Sequence, residues 1–148
     1  MKVRPVRTSP LIAITRLAAG IIALLALLVA YLFFVAGPSL DVKRVGAAVH
    51  VEARFLEYQL GLERLQLIDP RSGSVILSVS SVPGTTFESE VTFAAGENDI
   101  GTLLGPEAKI LVPSNGRLVL SRGVSYHLRV WGNNGFGRVR SSSARFVL

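Results

Sequence analysis

The chain has 148 residues, 49% of them apolar and 18% charged, with 14 Gly, 7 Pro and no Cys. That length holds one ordinary domain plus a short extra element. The missing Cys excludes a disulfide scaffold, a Cys-ligated zinc or iron–sulfur site and a cysteine nucleophile. A mean hydropathy of +0.46 is too high for a disordered or wholly water-exposed chain of this size and points to a localised apolar block.

The block lies near the N-terminus. Residues Leu17 to Ala36 read LAAGIIALLALLVAYLFFVA, twenty positions without a charge, enough at 1.5 Å per residue to cover a bilayer's hydrocarbon core. Gly37-Pro38 then gives a helix stop, and Tyr31, Phe33 and Phe34 crowd that end as an interfacial aromatic group would. Lys2, Arg4, Arg7 and Arg16 precede the span with no acid among them. The positive-inside rule therefore predicts a cytoplasmic basic tail (1–16), a transmembrane helix (17–36), a linker (37–46) and an extracytoplasmic domain (47–148), in a single-pass protein of the cell membrane. A cleaved signal peptide, releasing a secreted or periplasmic module that begins near Leu40, is the competing reading. The apolar run exceeds the 7–15 residues of a signal h-region, and Phe34 disfavours a cut after Ala36, so an uncleaved signal-anchor is expected. Ala19, Ala23, Ala26 and Ala30 fall on one helix face, a small-residue stripe along which a second helix could pack.

Beyond the span, period-two alternation and frequent turn signals predict an all-β domain. Val49, Val51, Ala53 and Phe55 alternate with His50, Glu52 and Arg54. Leu65 and Leu67 lead into the turn Asp69-Pro70-Arg71-Ser72-Gly73, and Val75, Leu77 and Val79 follow. Phe87, Ser89, Val91 and Phe93 oppose Glu88, Glu90 and Thr92 in the cleanest half-buried strand, which Gly96-Glu97-Asn98-Asp99 is expected to break. Ile110 to Val112 and Leu118 to Leu120 flank Ser114-Asn115-Gly116, and two final strands are expected on either side of Gly132 to Gly137. Seven or eight short strands in about a hundred residues predict a β-sandwich, with a small barrel as the alternative.

One stretch is more specific. Leu120, Gly123, Tyr126, Leu128, Val130, Gly132, Asn134 and Gly137 follow the spacing L-x-x-G-x-x-Y-x-L-x-V-x-G-x-N-x-x-G, which resembles the E–F corner, strand F and F–G loop of fibronectin type III domains. The resemblance implies a fibronectin III-like (immunoglobulin-like) sandwich whose Tyr126 is a tyrosine corner, its ring in the core and its hydroxyl returned to backbone upstream. It also implies that the F–G loop serves recognition. Arg122 stands where the family usually has Pro, and the first half lacks the family's strand-B Trp.

Charge is uneven along the domain. Residues 40–107 hold ten acids and five bases, whereas 108–148 hold seven bases and no acid. This fits either ordinary cross-strand pairing or a bipolar domain that docks on charged partners. The exported part carries a net charge of +2, which argues against nucleic-acid binding. If Tyr126, Leu128 and Val130 point inward, then His127, Arg129 and Trp131 point outward, with Arg138 and Arg140 expected nearby on the adjoining strand. The expected partner-binding residues are Trp131, Phe136, Arg129, Asn134, Arg138 and Arg140, of residue types frequent at binding hot spots and loop tips.

Enzyme readings fail on composition and spacing. His50 and His127 are the two histidines, without an HxH, HExxH or GxSxG pattern, and no phosphate loop appears. Glu97-Asn98-Asp99 lacks the alternating ligands of a calcium loop, and Glu88 and Glu90 read as solvated. The expectation is a non-enzymatic protein without cofactor or metal that makes protein–protein contacts. The alternative is an accessory or structural subunit of a larger membrane complex or homo-oligomer, held by its transmembrane helix.

Overall fold

The computed structural model describes residues 10–35, 38–55, 58–59, 61–133 and 139–148. The chain divides into two units, Met1–Ala36 and Gly37–Leu148.

Among its described residues the first unit holds one helix, α1 (Pro10–Phe34). It begins seven residues before the uncharged run. Pro at the start of a helix forfeits only an N–H that has no intrahelical acceptor, and nothing between it and Arg16 interrupts the backbone pattern. The stretch Ile12–Leu32 is long and apolar enough to cross a membrane. Its Ile, Leu and Val side chains from Ile12 to Val29 are exposed, a surface that water disfavours and lipid accepts. Val35 N donates to Tyr31 O at 2.8 Å and closes the last turn. Ala19, Ala23, Ala26 and Ala30 are all exposed along one side of this helix.

The second unit is mostly β. In chain order it comprises β1 (Ser39–Val45), β2 (Ala48–Phe55), β3 (Tyr58–Gln59), β4 (Leu62–Ile68), β5 (Val75–Ser81), β6 (Glu90–Ala94), β7 (Gly96–Asp99), α2 (Ile100–Leu104), β8 (Ala108–Val112), β9 (Arg117–Leu120), β10 (Ser125–Asn133) and β11 (Val139–Val147). One sheet joins β1, β2, β3 and β6, a second runs β11-β10-β4-β5-β8, and β7 pairs with β9. The stretch 37–46, expected as a linker, thus contains a strand. β1 pairs with β2 from Ser39↔Arg54 to Val45↔Ala48, and Leu40 and Val42 pack against the core. The adjacent charges Lys43 and Arg44 within the strand mask its alternation.

Inward residues of the strands build one buried cluster, to which Val49, Val51, Val91 and Phe93 contribute from the first sheet and Leu65, Leu67, Leu77, Val79, Leu128 and Val130 from the second. Phe93 of β6 and Phe146 of β11 stack across the layers with ring centroids 5.6 Å apart. Removing a buried Leu side chain from such a core costs about 2–5 kcal/mol. Tyr126 is buried, and its hydroxyl accepts a hydrogen bond from Ser121 N at 2.8 Å. Gly123, at φ +73°, makes the turn between them in a backbone region costly for other residues.

The strand expected to break after Phe93 ends at Ala94, and past a bend at Ala95 and Gly96 at φ +103° the chain resumes as a strand instead of a loop: β6 pairs with β2 and β7 with β9. Asn98 holds the changeover: its Oδ1 accepts from Ala94 N at 3.0 Å, and its Nδ2 donates to Ala94 O at 2.9 Å and Gly96 O at 3.1 Å. Asp99 then caps α2, accepting from Thr102 N at 3.0 Å, and α2 buries Ile100 and Leu104. Residues whose composition signals a turn here do their bonding from a strand and a helix cap.

Candidate interaction face

β10 is a central strand of the five-stranded sheet, with β11 on one side and β4 on the other. Tyr126, Leu128, Val130 and Gly132 are buried, while His127, Arg129 and Trp131 point to the other face. Registers across the sheet place Lys109, Ser80, Arg64, Trp131 and Ser141 in one row over all five strands. The next row holds Ser78, Gln66, Arg129 and Ser143, and a third brings Ile68, His127 and Arg145 together.

Trp131 is half-buried among cations. The Arg64 guanidinium carbon lies 5.1 Å from the ring centroid and that of Arg129 lies 5.9 Å away, both within cation–π range. A β-bulge lies immediately beyond the Trp131–Arg64 pair. Gly132 pairs with Leu62, whereas Trp131 pairs with Arg64, so Glu63 is an extra residue in β4.

The face carries no carboxylate in these rows. Arg64, Lys109, Arg129 and Arg145 are exposed, and among the described residues no ion pair is formed by any of them. The outer face of the other sheet contrasts with it. There Lys43 Nζ meets Asp41 at 2.6 Å, Arg54 forks onto the buried Glu52 with both bonds at 2.6 Å, and His50 lies 4.0 Å from Glu90. The hydrogen bond from Lys43 holds the Asp41 carboxyl below its usual range, and the Glu52 bond raises Arg54. Asp41, Lys43, Glu52 and Arg54 on that sheet are paired; among the described residues the arginines around Trp131 form no ion pair.

Of the expected partner-binding residues, Trp131 and Arg129 come together as anticipated. Asn134, Phe136 and Arg138 lie outside the described residues. Arg140 is a correction: it pairs with Gly132, and so belongs to the opposite side of the sheet from Trp131. Alternation along β10 fixes what points outward on β10, but the partner strand's parity depends on register, which a one-residue change inverts. Arg145, two strand repeats nearer the turn after β9, takes the outward place on β11. Arg64 and Lys109 were also missed. Arg64 alternates with the buried Leu65, which signals its outward direction, but its pairing with Trp131 is a matter of topology.

The two histidines lie on separate sheets, His50 on β2 with Nδ1 3.0 Å from Thr92 Oγ1, and His127 on β10. Among the described residues no cluster of three His, Asp or Glu side chains could hold a metal ion. No protein-family model, curated protein or solved structure matches this chain.

Proposed function

We propose that this chain is a non-enzymatic, single-pass membrane protein that displays a fibronectin III-like sandwich outside the cytoplasm and binds a protein partner through the Trp131 face. The observation that carries the reading is the outer face of the five-stranded sheet, where Trp131 lies beside Arg64 and Arg129 and, among the described residues, neither these arginines nor Arg145 forms an ion pair. Trp and Arg dominate binding energy at protein interfaces, and unmatched exposed cations favour association over internal pairing. The strand order β11-β10-β4-β5 beside a β1-β2 pair, together with the Tyr126 corner, supports the sandwich class. The apolar length of α1 and the basic residues before it support the anchor and its orientation.

The test is recovery of the tagged full-length protein from native membranes after cross-linking. Replacing Trp131 and Phe136 by Ala should remove the cross-linked partner while leaving the domain folded; retention of the partner refutes the assignment. A second reading, an accessory subunit held by α1, draws on the exposed Ala19/Ala23/Ala26/Ala30 side of the helix. Under that reading Leu at those four positions dissociates the complex, and the Trp131 substitution does not.

A further inference from the structure

Resting on the proposed binding face, we infer that its occupant is an extended protein segment with carboxylates at every second residue. Arg64, Arg129 and Arg145 are on three neighbouring strands, β4, β10 and β11. Arg64 is level with Trp131, Arg129 is two residues back along β10, and Arg145 is level with His127, two residues further back. The three arginines therefore form a straight diagonal across the sheet, and diagonal neighbours stand about 7–8 Å apart. In an extended chain, alternate side chains on one face recur at about 6.8 Å. An acid-x-acid-x-acid segment laid along this diagonal meets one guanidinium per carboxylate.

Trp131 makes the match more than a charge count. Its ring lies beside both Arg64 and Arg129, so the two guanidiniums are pre-oriented, with N–H edges left for fork-like carboxylate bonding. Ser141 and Ser143 flank the diagonal on β11, with hydroxyls able to bond a peptide backbone. A lipid surface fits less well. The polybasic attraction of anionic lipid belongs to the cytoplasmic leaflet, the side opposite to this domain in the proposed orientation. Trp131 is half-buried beside two cations and is not free to insert.

The experiment uses the full chain in phosphatidylcholine nanodiscs and fluorescein-labelled seven-residue peptides followed by anisotropy. One peptide has glutamates at positions 2, 4 and 6 among serines; the second has the same composition with its glutamates contiguous. The alternating peptide should bind several-fold tighter and be displaced by 0.5 M salt. Arg64→Gln, Arg129→Gln and Arg145→Gln should each weaken it roughly threefold, the range of single exposed ion pairs. Arg117→Gln, at a side chain already 2.9 Å from Glu97 on the β7–β9 pair, should not. Equal binding of the two peptides overturns the inference, because charge alone then suffices. So does displacement of the alternating peptide by nanodiscs containing phosphatidylglycerol, which makes the lipid surface the occupant. If neither peptide binds yet the Trp131 substitution still releases the native partner, this inference falls and the proposed function stands; if the substitution releases nothing, both fall.

Discussion

Replacing Asn98 tests whether a single side chain holds the strand that changes partners. Asn98 is buried, and its amide serves Ala94 N, Ala94 O and Gly96 O within 3.1 Å, with Leu118 O at a longer 3.4 Å. A net hydrogen bond contributes about 1 kcal/mol, and an orphaned buried group costs about 1–3 kcal/mol. Ala94 and Gly96 are exposed enough for water to recover part of this, so Asn98→Ala should destabilise the β unit by about 2–3 kcal/mol. Asn98→Asp changes no volume but replaces the donor by a carboxylate facing three carbonyls, and should cost roughly 3 kcal/mol or more at pH 7. The introduced carboxyl is disfavoured as an anion in the folded state, so its folded pKa is raised and the folded form binds the extra proton. The penalty therefore grows as pH rises through the unfolded value of about 3.9 and shrinks in acid, where the neutral acid donates to Ala94 O. Urea unfolding of the full chain in mild detergent, followed by fluorescence of the single tryptophan, gives each difference by linear extrapolation. An Asn98→Asp variant as stable as the parent at pH 7 refutes the reasoning, since only volume would then matter.

Two further stability predictions follow from close contacts. Tyr126→Phe removes the acceptor 2.8 Å from Ser121 N and should cost about 1 kcal/mol in the same unfolding assay; no change means that water replaces the bond. Gly61→Ala would place its Cβ 2.6 Å from Thr86 Cβ, a clash with side-chain atoms next to the backbone, and should cost about 1–3 kcal/mol. Thr86→Gly in the same chain should recover much of that loss, and its failure to do so would locate the strain elsewhere.

Much of the fold was legible because the governing patterns are local. Burial of Phe87, Ser89, Val91 and Phe93 against exposure of Glu88, Glu90 and Thr92 follows from period two alone, as does the inward set Tyr126, Leu128 and Val130. The uncharged stretch within α1 is equally plain. What alternation does not carry is pairing. Neither the engagement of residues 39–45 with β2 nor the exchange of partners between β6 and β7 leaves a mark in hydrophobic spacing, and Asn98 in a strand is indistinguishable from Asn98 in a turn until its carbonyl neighbours are known. The interaction face divides along the same line: Arg129 and Trp131 share a strand and were visible together, whereas Arg64, Lys109 and Arg145 join them through register, and Arg140 is lost by it.

The extra residue in β4 bears on shape more than on burial. Without Glu63, the run Leu62-Arg64-Leu65-Gln66-Leu67 would still alternate perfectly, so the core has no use for the insertion. A bulge adds right-handed coil to the ribbon that contains it, and here it does so beside Gly132, where no side chain resists the bend. A second register shift, between Leu67 and Ile68 where β4 pairs with β5, puts a bulge at the other end of the strand as well, so both ends of this face are coiled. A ligand strand crossing this surface would meet a saddle instead of a plane, and a rigid flat polymer would touch it at one corner.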